Sequence, residues 1–369
     1  MRPHVIAIMN ETFSDLSAYP GLEGSSAEPS LVNALSRSDA IGGSAVVSAL
    51  GGGTCNSEFE FLTGASLGNM GGGVYPYVLY SFDGAGSLPR AFSELGYRTR
   101  AIHPAEGSNW RRNAVYGQLG FDTFDDIETF KAQPGYEEGL FRNLVSDRTT
   151  YDLALAMLDE AEGPQFVFDV TIQNHGGYDP PLVPADQQVA LGRGDLGGAE
   201  LDEFASCIAA SERDLAYLLG RLEQRDDPVV VCFFGDHQPG FANDLFERAY
   251  GTSVEGVPLE QVQERFRTPY LIWGNAAARS LGLASPDAVA GGTTSLNYLG
   301  AALLEACGLP VDEHFGFLQA LRGLVPAINM NGYLAPDGQW RWFDQDGGVG
   351  EALRAYAIVQ HDSLFGGAS

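Results

Sequence analysis

Lysine is almost missing from this chain: of 369 residues 21 are cationic, and Lys131 is the one lysine among them. Acidic residues number 48, so the formal net charge is -27. A surface so short of positive charge disfavours nonspecific binding to nucleic acid or to anionic lipid. Any anionic substrate must therefore be met by a local pocket of arginine and histidine. Cysteine is scarce too, with four residues at 55, 207, 232 and 307 that form no CxxC pair and no metal-finger spacing. Cys232 lies in the apolar run "VVVCFFG", where core packing is its expected use, and no spacing proposes a disulfide. No apolar run approaches the ~20 residues that a membrane span needs. The chain enters a strand pattern within its first five residues, which predicts no signal peptide. So abrupt a start suits either a cytosolic enzyme or a soluble fragment of a longer protein. Internal repeats and low-complexity tracts are also missing.

What is present is a globular composition, 44% hydrophobic and 11% aromatic, in a chain long enough for one large domain or two ordinary ones. The runs "HVIAIM", "YRTRAI", "QFVFDVTI", "VVVCFF" and "TPYLIWG" read as buried parallel strands. Helical patterns lie between them. The clearest is "ELDEFASCIAASERDLAYLLGRLEQRDD", with Leu201, Phe204, Ile208, Leu215, Leu218 and Leu222 on one face. The expected fold is α/β, a mostly parallel central sheet with helices on both faces. Near the end, "NGYLAPDGQWRWFD" predicts a hairpin from Gly332 to Phe343, and then a last helix, "GEALRAYAIVQHDSLF".

Chemistry-bearing residues gather just past the predicted strands. The first strand ends in Asn10-Glu11-Thr12, the next in His103-Pro104, the third in Gln173-Asn174-His175, the fourth in Gly235-Asp236-His237. Open parallel sheets form their sites beyond the carboxyl ends of the strands. Each residue alone has a plain structural use: Glu11 in a capping turn, His103 and His175 in surface loops, Trp110 and Arg112 in a capping cluster. Thr54 alone, behind "GGG", reads first as an N-cap. Together they read differently. Glu11, Asp236, His237 and the Thr54 hydroxyl make an oxygen-rich set with one nitrogen, suited to Mg²⁺ or Mn²⁺ and acceptable to Zn²⁺. Such a cation activates a hydroxyl and holds a phosphoryl oxygen. A helix start at Thr54 favours negative charge there. Arg112 can grip phosphate bidentately, and His103 and His175 can bind phosphoryl oxygens or protonate a leaving alkoxide. The set suits phosphoryl transfer through a phospho-threonine.

"MNETF", "GGGTCNSEFEFLTG", "HPAEGSNWRRN", "IQNHGGY" and "FFGDHQP", in this order over residues 4–275, resemble the extracellular catalytic domain of lipoteichoic acid synthases and related phosphoglycerol transferases. These form a sulfatase-like branch of the alkaline phosphatase superfamily, and the tail "AYAIVQHDSLFG" is similar to the family's C-terminal ending. The resemblance implies a sulfatase-like catalytic domain over 1–310 and a C-terminal subdomain over 311–369. It implies manganese held by Glu11, Thr54, Asp236 and His237, with Thr54 the nucleophile that takes glycerol phosphate from phosphatidylglycerol. His103, Trp110, Arg112 and His175 would line the glycerol-phosphate pocket. The acceptor would be a glycerol-phosphate polymer or a glycan. Family members usually carry membrane helices, so the chain is expected to be a soluble ectodomain at the extracellular face of the bacterial membrane.

Arg111 stands where the lipoteichoic acid synthases usually have asparagine, and "NHGGY" varies their "NHGPY". A true sulfatase would show C/S-x-P-x-R, whereas Cys55 is followed by Asn56-Ser57-Glu58-Phe59. A nucleotide-binding P-loop would need a lysine after its glycines, and none comes after "GGGTCNS". A hydrolase that hands the phospho-threonine to water shares the first half-reaction and remains the alternative. A binding-only role would predict a damaged metal set, and all four members are present.

Overall fold

The computed structural model describes residues 2–366 apart from 193, 288 and 290. The strands in chain order are β1 (His4–Asn10), β2 (Ile41–Val46), β3 (Arg98–Ile102), β4 (Thr123–Asp125), β5 (Leu140–Phe141) and β6 (Leu144–Val145). Next come β7 (Gln165–Val170), β8 (Val229–Gly235), β9 (Arg267–Gly274), β10 (Gly292–Ser295), β11 (Ile328–Asn329), β12 (Gly332–Leu334) and β13 (Trp340–Arg341). Eight of them make the central sheet, in the order β10-β2-β9-β8-β1-β7-β3-β4.

β1 occupies the middle, parallel to both β7 and β8. Its side chains alternate between two cores: Val5, Ala7 and Met9 face one, Ile6 and Ile8 the other. A strand covered on both faces must be apolar at every position, which is why "VIAIM" shows no polar alternation. One expectation is corrected here. "TPYLIWG" forms β9, but β9 runs antiparallel to both its neighbours, β8 and β2. Burial on both faces makes a strand apolar whichever way it runs, so composition carried no direction.

The long helix spans Ala199–Glu223 and buries Leu201, Phe204, Ile208, Leu215, Leu218 and Leu222. The C-terminal hairpin forms as β12 against β13, with β11 completing a small antiparallel sheet, and the last helix runs Gly350–Phe365. These C-terminal pieces brace the segment that carries Thr54. Tyr356 donates its hydroxyl to Gly64 O at 2.7 Å, and Asn329 donates to Val47 O at 3.0 Å. Among the described residues no helix is long and apolar enough to cross a membrane.

Candidate active site

The helix Thr54–Thr63 starts the site. Gly53 holds the N-cap position at φ 85, a left-handed conformation natural to glycine, so Thr54 is the first helical residue and not the cap itself. Nor is the helix amphipathic, as its sequence suggests: every residue except Asn56 is buried, Glu58 and Glu60 included. Phe61 stacks between Phe168 of β7 and Phe234 of β8 at 5.6 and 4.6 Å. Ser57 donates to Asp236 O at 2.6 Å, tying the helix to the end of β8. At that end only glycine fits at 235, because a Cβ there would lie 1.7 Å from Phe13 O.

Glu11, Asp236 and His237 converge, with ligand atoms all within 4.8 Å of one another and all three residues buried. The Thr54 hydroxyl donates to Glu11 Oε2 at 3.4 Å, and Thr12 Oγ1 donates to Glu11 Oε1 at 2.7 Å. Asp236 Oδ1 accepts from the backbone N–H groups of Thr12 and His237, at 2.7 and 2.8 Å. Its Oδ2 is buried and accepts no hydrogen bond. His237 donates Nδ1–H to Gln238 O at 2.9 Å, which leaves a lone pair on Nε2, also buried without a hydrogen bond. A ring fixed by a backbone carbonyl, with its other nitrogen turned toward two carboxylates, is the usual posture of a metal-binding histidine. Burial pushes the Asp236 carboxyl up, and Glu11 adds to that against the pull of His237. Burial alone would lower the His237 imidazole, but Asp236 and Glu11 outweigh it and raise it. Asp236 Oδ2 lies 3.2 Å and Glu11 Oε1 3.7 Å from His237 Nε2, so two buried acids and an imidazole converge as ligands of a divalent cation would.

His103 is buried just past β3, donating Nδ1–H to Val170 O at 2.8 Å. Burial holds it well below the usual histidine range, and the Arg112 guanidinium and His175 act in the same direction. His175 is exposed, on the loop past β7. Arg112 is fully buried, and its Nε donates to Glu58 Oε1 at 2.9 Å, with Nη2 on the same oxygen. Tyr116 donates to Glu58 Oε2 at 2.8 Å. The inner edge of the guanidinium is thus spent on Glu58, and its outer edge is not. Trp110 and Arg111 both adopt positive φ, 55 and 59. Trp110 stacks on Tyr75 at 5.1 Å, and Arg111 Nη1 donates to Tyr77 O and Val78 O. Two consecutive residues in so unfavourable a conformation are held there by their surroundings.

Several contributors escape sequence reasoning. Asp147 is buried beneath the site, where its Oδ2 accepts from Asn10 at 2.7 Å and from Ser211, while its N–H donates to Gln173 Oε1 at 3.1 Å. Asn174 closes this network by donating to Asn10 Oδ1 and Ser211 Oγ. The ends of β1 and β7 are therefore pinned to each other. Glu58 is equally unannounced, because a glutamate in "TCNSEFEF" looks like a solvated helix face. Cys55 packs in the core with its thiol pushed up by burial, and all four cysteines are free and buried.

This chain belongs to the sulfatase family, whose model matches residues 3–309. It is 30% identical to a Rhizobium meliloti protein provisionally assigned to cyclic beta-1,2-glucan modification, across 99% of this chain and 55% of that protein. It is 22% identical to lipoteichoic acid synthase 1 of Bacillus subtilis, across 41% of this chain and 23% of that protein. The chain therefore spans about half the length of the first relative and less of the second. Its fold is similar to that of the Streptococcus pyogenes phosphoglycerol transferase GacH, solved with sn-glycerol-1-phosphate. The TM-score is 0.72 at 21% identity, covering 99% of this chain and 87% of that one. The lipoteichoic acid synthase LtaP of Listeria monocytogenes gives 0.71 at 16% identity, covering 100% and 92%. A Vibrio parahaemolyticus protein of the alkaline phosphatase superfamily gives 0.61 at 14% identity, covering 100% and 88%. The fold is that of the alkaline phosphatase superfamily.

Proposed function

We propose that this chain is the catalytic unit of a divalent-metal-dependent phosphoglycerol transferase that cleaves phosphatidylglycerol through a covalent phospho-threonine at Thr54. The observation that carries this reading is the buried convergence of Asp236 Oδ2 and His237 Nε2, 3.2 Å apart and outside any hydrogen bond, beside Glu11 and the Thr54 hydroxyl. Glu11, Thr54, Asp236 and His237 would hold one cation, Mn²⁺ before Mg²⁺ or Zn²⁺. Bound there, it supplies Lewis acidity that lowers the hydroxyl pKa and neutralises phosphoryl charge.

Thr54 Oγ1 attacks phosphorus, giving up its proton to water. An Oγ1–P bond forms, and the P–O bond to diacylglycerol breaks. His175, at the open side of the site, protonates the departing alkoxide. In the second half-reaction an acceptor hydroxyl attacks the same phosphorus and passes its proton to His175, while the Oγ1–P bond breaks and Oγ1 regains from water the proton it gave up. Arg112 supplies fixed positive charge. His103 has a narrower part than its residue type suggests. With Nδ1–H committed to Val170 and protonation suppressed, its Nε2 is an acceptor, suited to a glycerol hydroxyl and not to a phosphoryl oxygen. Trp110, on its strained turn, walls the pocket. The relatives' names support an acceptor hydroxyl on a glycerol-phosphate polymer or a glycan. The partial coverage of those relatives supports a longer protein, and we place its catalytic unit at the outer face of the membrane, where the phosphatidylglycerol donor would be met.

The test is mass spectrometry of the Thr54 peptide after incubation with phosphatidylglycerol and Mn²⁺. A glycerol-phosphate adduct, absent with chelator, is expected. Free glycerol phosphate with no adduct would instead assign a hydrolase, and neither product would reject the donor.

A further inference from the structure

Arg142 stands at one of the least favourable backbone positions for its type. It and Asn143 are the two central residues of the tight hairpin joining β5 to β6, where Leu140 pairs with Val145 and Phe141 with Leu144. Their φ values are 53 and 64. Both central residues of such a turn need positive φ, which asparagine and glycine accept and arginine ordinarily avoids. The hairpin alone gives no reason for an arginine there.

The guanidinium gives one. It is buried, with Nε donating to Glu203 Oε1 at 2.8 Å. Nη1 donates to Gln173 O and to His175 O, each at 3.3 Å, and Nη2 donates to Gly177 O at 2.9 Å. Its plane lies over the Tyr178 ring, 5.2 Å from the centroid. Three carbonyls of the loop past β7 thus converge on one side chain, and His175 is the middle of the three. Glu203, on the helix Ala199–Glu223, also accepts from the N–H groups of Leu182 and Val183 at 2.7 and 2.9 Å. The same ion pair therefore anchors the chain on both sides of the loop. Gln173 and Asn174 are held from below by the Asp147 network, but past one turn bond, from His175 N–H to Ile172 O at 2.9 Å, the half of the loop from His175 to Gly177 has Arg142 as its clasp. The two glycines at 176 and 177 would otherwise leave that half free to move.

We infer that Arg142 is the positioning residue for His175: it fixes the loop backbone so that the imidazole meets the phosphoryl pocket, and it tolerates a strained conformation to do so. A planar five-donor fork can satisfy three carbonyls and one carboxylate at once, which a lysine cannot. This inference rests on the part given to His175 above.

Two measurements on the intact chain test it. The first is hydrogen exchange. Arg142→Gly removes the fork and suits the turn, so exchange over residues 173–178 is expected to rise at least tenfold while β8 stays protected. Arg142→Lys, which keeps the charge beside Glu203, guards against a folding defect and should show the same local rise to a smaller degree. Unchanged loop exchange in both variants would overturn the inference whatever the enzyme does. The second is a cycle with His175→Ala, reading diacylglycerol release from phosphatidylglycerol with Mn²⁺. Arg142→Gly should slow the wild type roughly 10- to 100-fold, the scale of a misplaced catalytic group. In the His175→Ala background it should add almost nothing. Equal losses in both backgrounds would show that Arg142 acts otherwise. Full activity of His175→Ala would instead reject the role of His175, a distinct failure.

Discussion

Glu58→Gln isolates the contact that holds Arg112. Both side chains are essentially inaccessible, 2% exposed for Arg112 and 0% for Glu58. Burial by itself would drive the proton off Arg112, and Glu58 more than offsets that. The amide keeps the shape of Glu58 but removes its charge, and with its NH2 turned to Tyr116, whose hydroxyl can accept, Arg112 keeps one neutral oxygen in place of a carboxylate. Breaking a buried pair from one side costs about 3–5 kcal/mol. Replacing both partners is much less costly, so Glu58→Gln/Arg112→Met should regain most of that loss while losing turnover. Urea unfolding at unchanged m-value reads the difference directly. A phosphate-bearing ligand adds a second check, because it supplies the charge that Glu58 no longer does. Glycerol phosphate should therefore stabilise Glu58→Gln more than it stabilises the wild type. A cost below about 1 kcal/mol would refute the reasoning. So would a double variant as unstable as the sum of the singles.

Four further outcomes are expected. Thr54→Ala should lower turnover roughly 10⁴-fold or more while melting like the wild type; full residual activity would remove Thr54 from the mechanism. Mn²⁺ at about 100 times its dissociation constant should stabilise the fold by about 2.7 kcal/mol, and Asp236→Asn should erase most of that shift in a thermal melt. Asp169, buried within β7, has its carboxyl pushed up to about 8 by burial, so it is neutral in the fold where an unfolded chain would ionise it. Its contribution is present at low pH and is lost as pH rises from about 4 to about 8. Melting temperatures of Asp169→Asn and wild type should thus diverge in favour of the variant across that window, and parallel curves would contradict the shift. Gly235→Ala forces a Cβ against Phe13 O and should destabilise by about 3 kcal/mol or more, measured by urea unfolding, because backbone cannot yield as a side chain does.

The strand ends were legible because burial and chemistry alternate sharply there. A run such as "VVVCFFG" is too apolar to be anything but interior, and the residues just past it must form the edge where polar groups return. β2 and β10 were not legible: "IGGSAV" and "GTTS" have side chains too small to show a pattern, and their pairing comes from the backbone. The direction of β9 lay beyond reach because apolar content is blind to it. Glu58, Asp147 and Arg142 were hidden for a different reason. Their meaning depends on partners far along the chain, Arg112, Asn10 and Glu203 among them, and no local spacing encodes that. His103 was read as a candidate but not in its proton state, which burial sets against the one carbonyl on β7 that holds its Nδ1–H.

The central place of β1 bears on how the molecule is made. Val5 finds its neighbours at Phe166 and Val230, so the strand synthesised first among these must wait for much of the chain before either edge is covered. At translation speeds of about 5–20 residues per second that wait is on the order of ten to forty seconds. Throughout it, a strand apolar at every position from Val5 to Met9 stands with open hydrogen-bonding edges, the kind of segment that aggregates. Nascent chains that stop between β7 and β8 should therefore need a chaperone to stay in solution. Glu11 and His237 come together only when β8 docks, at the end of that wait.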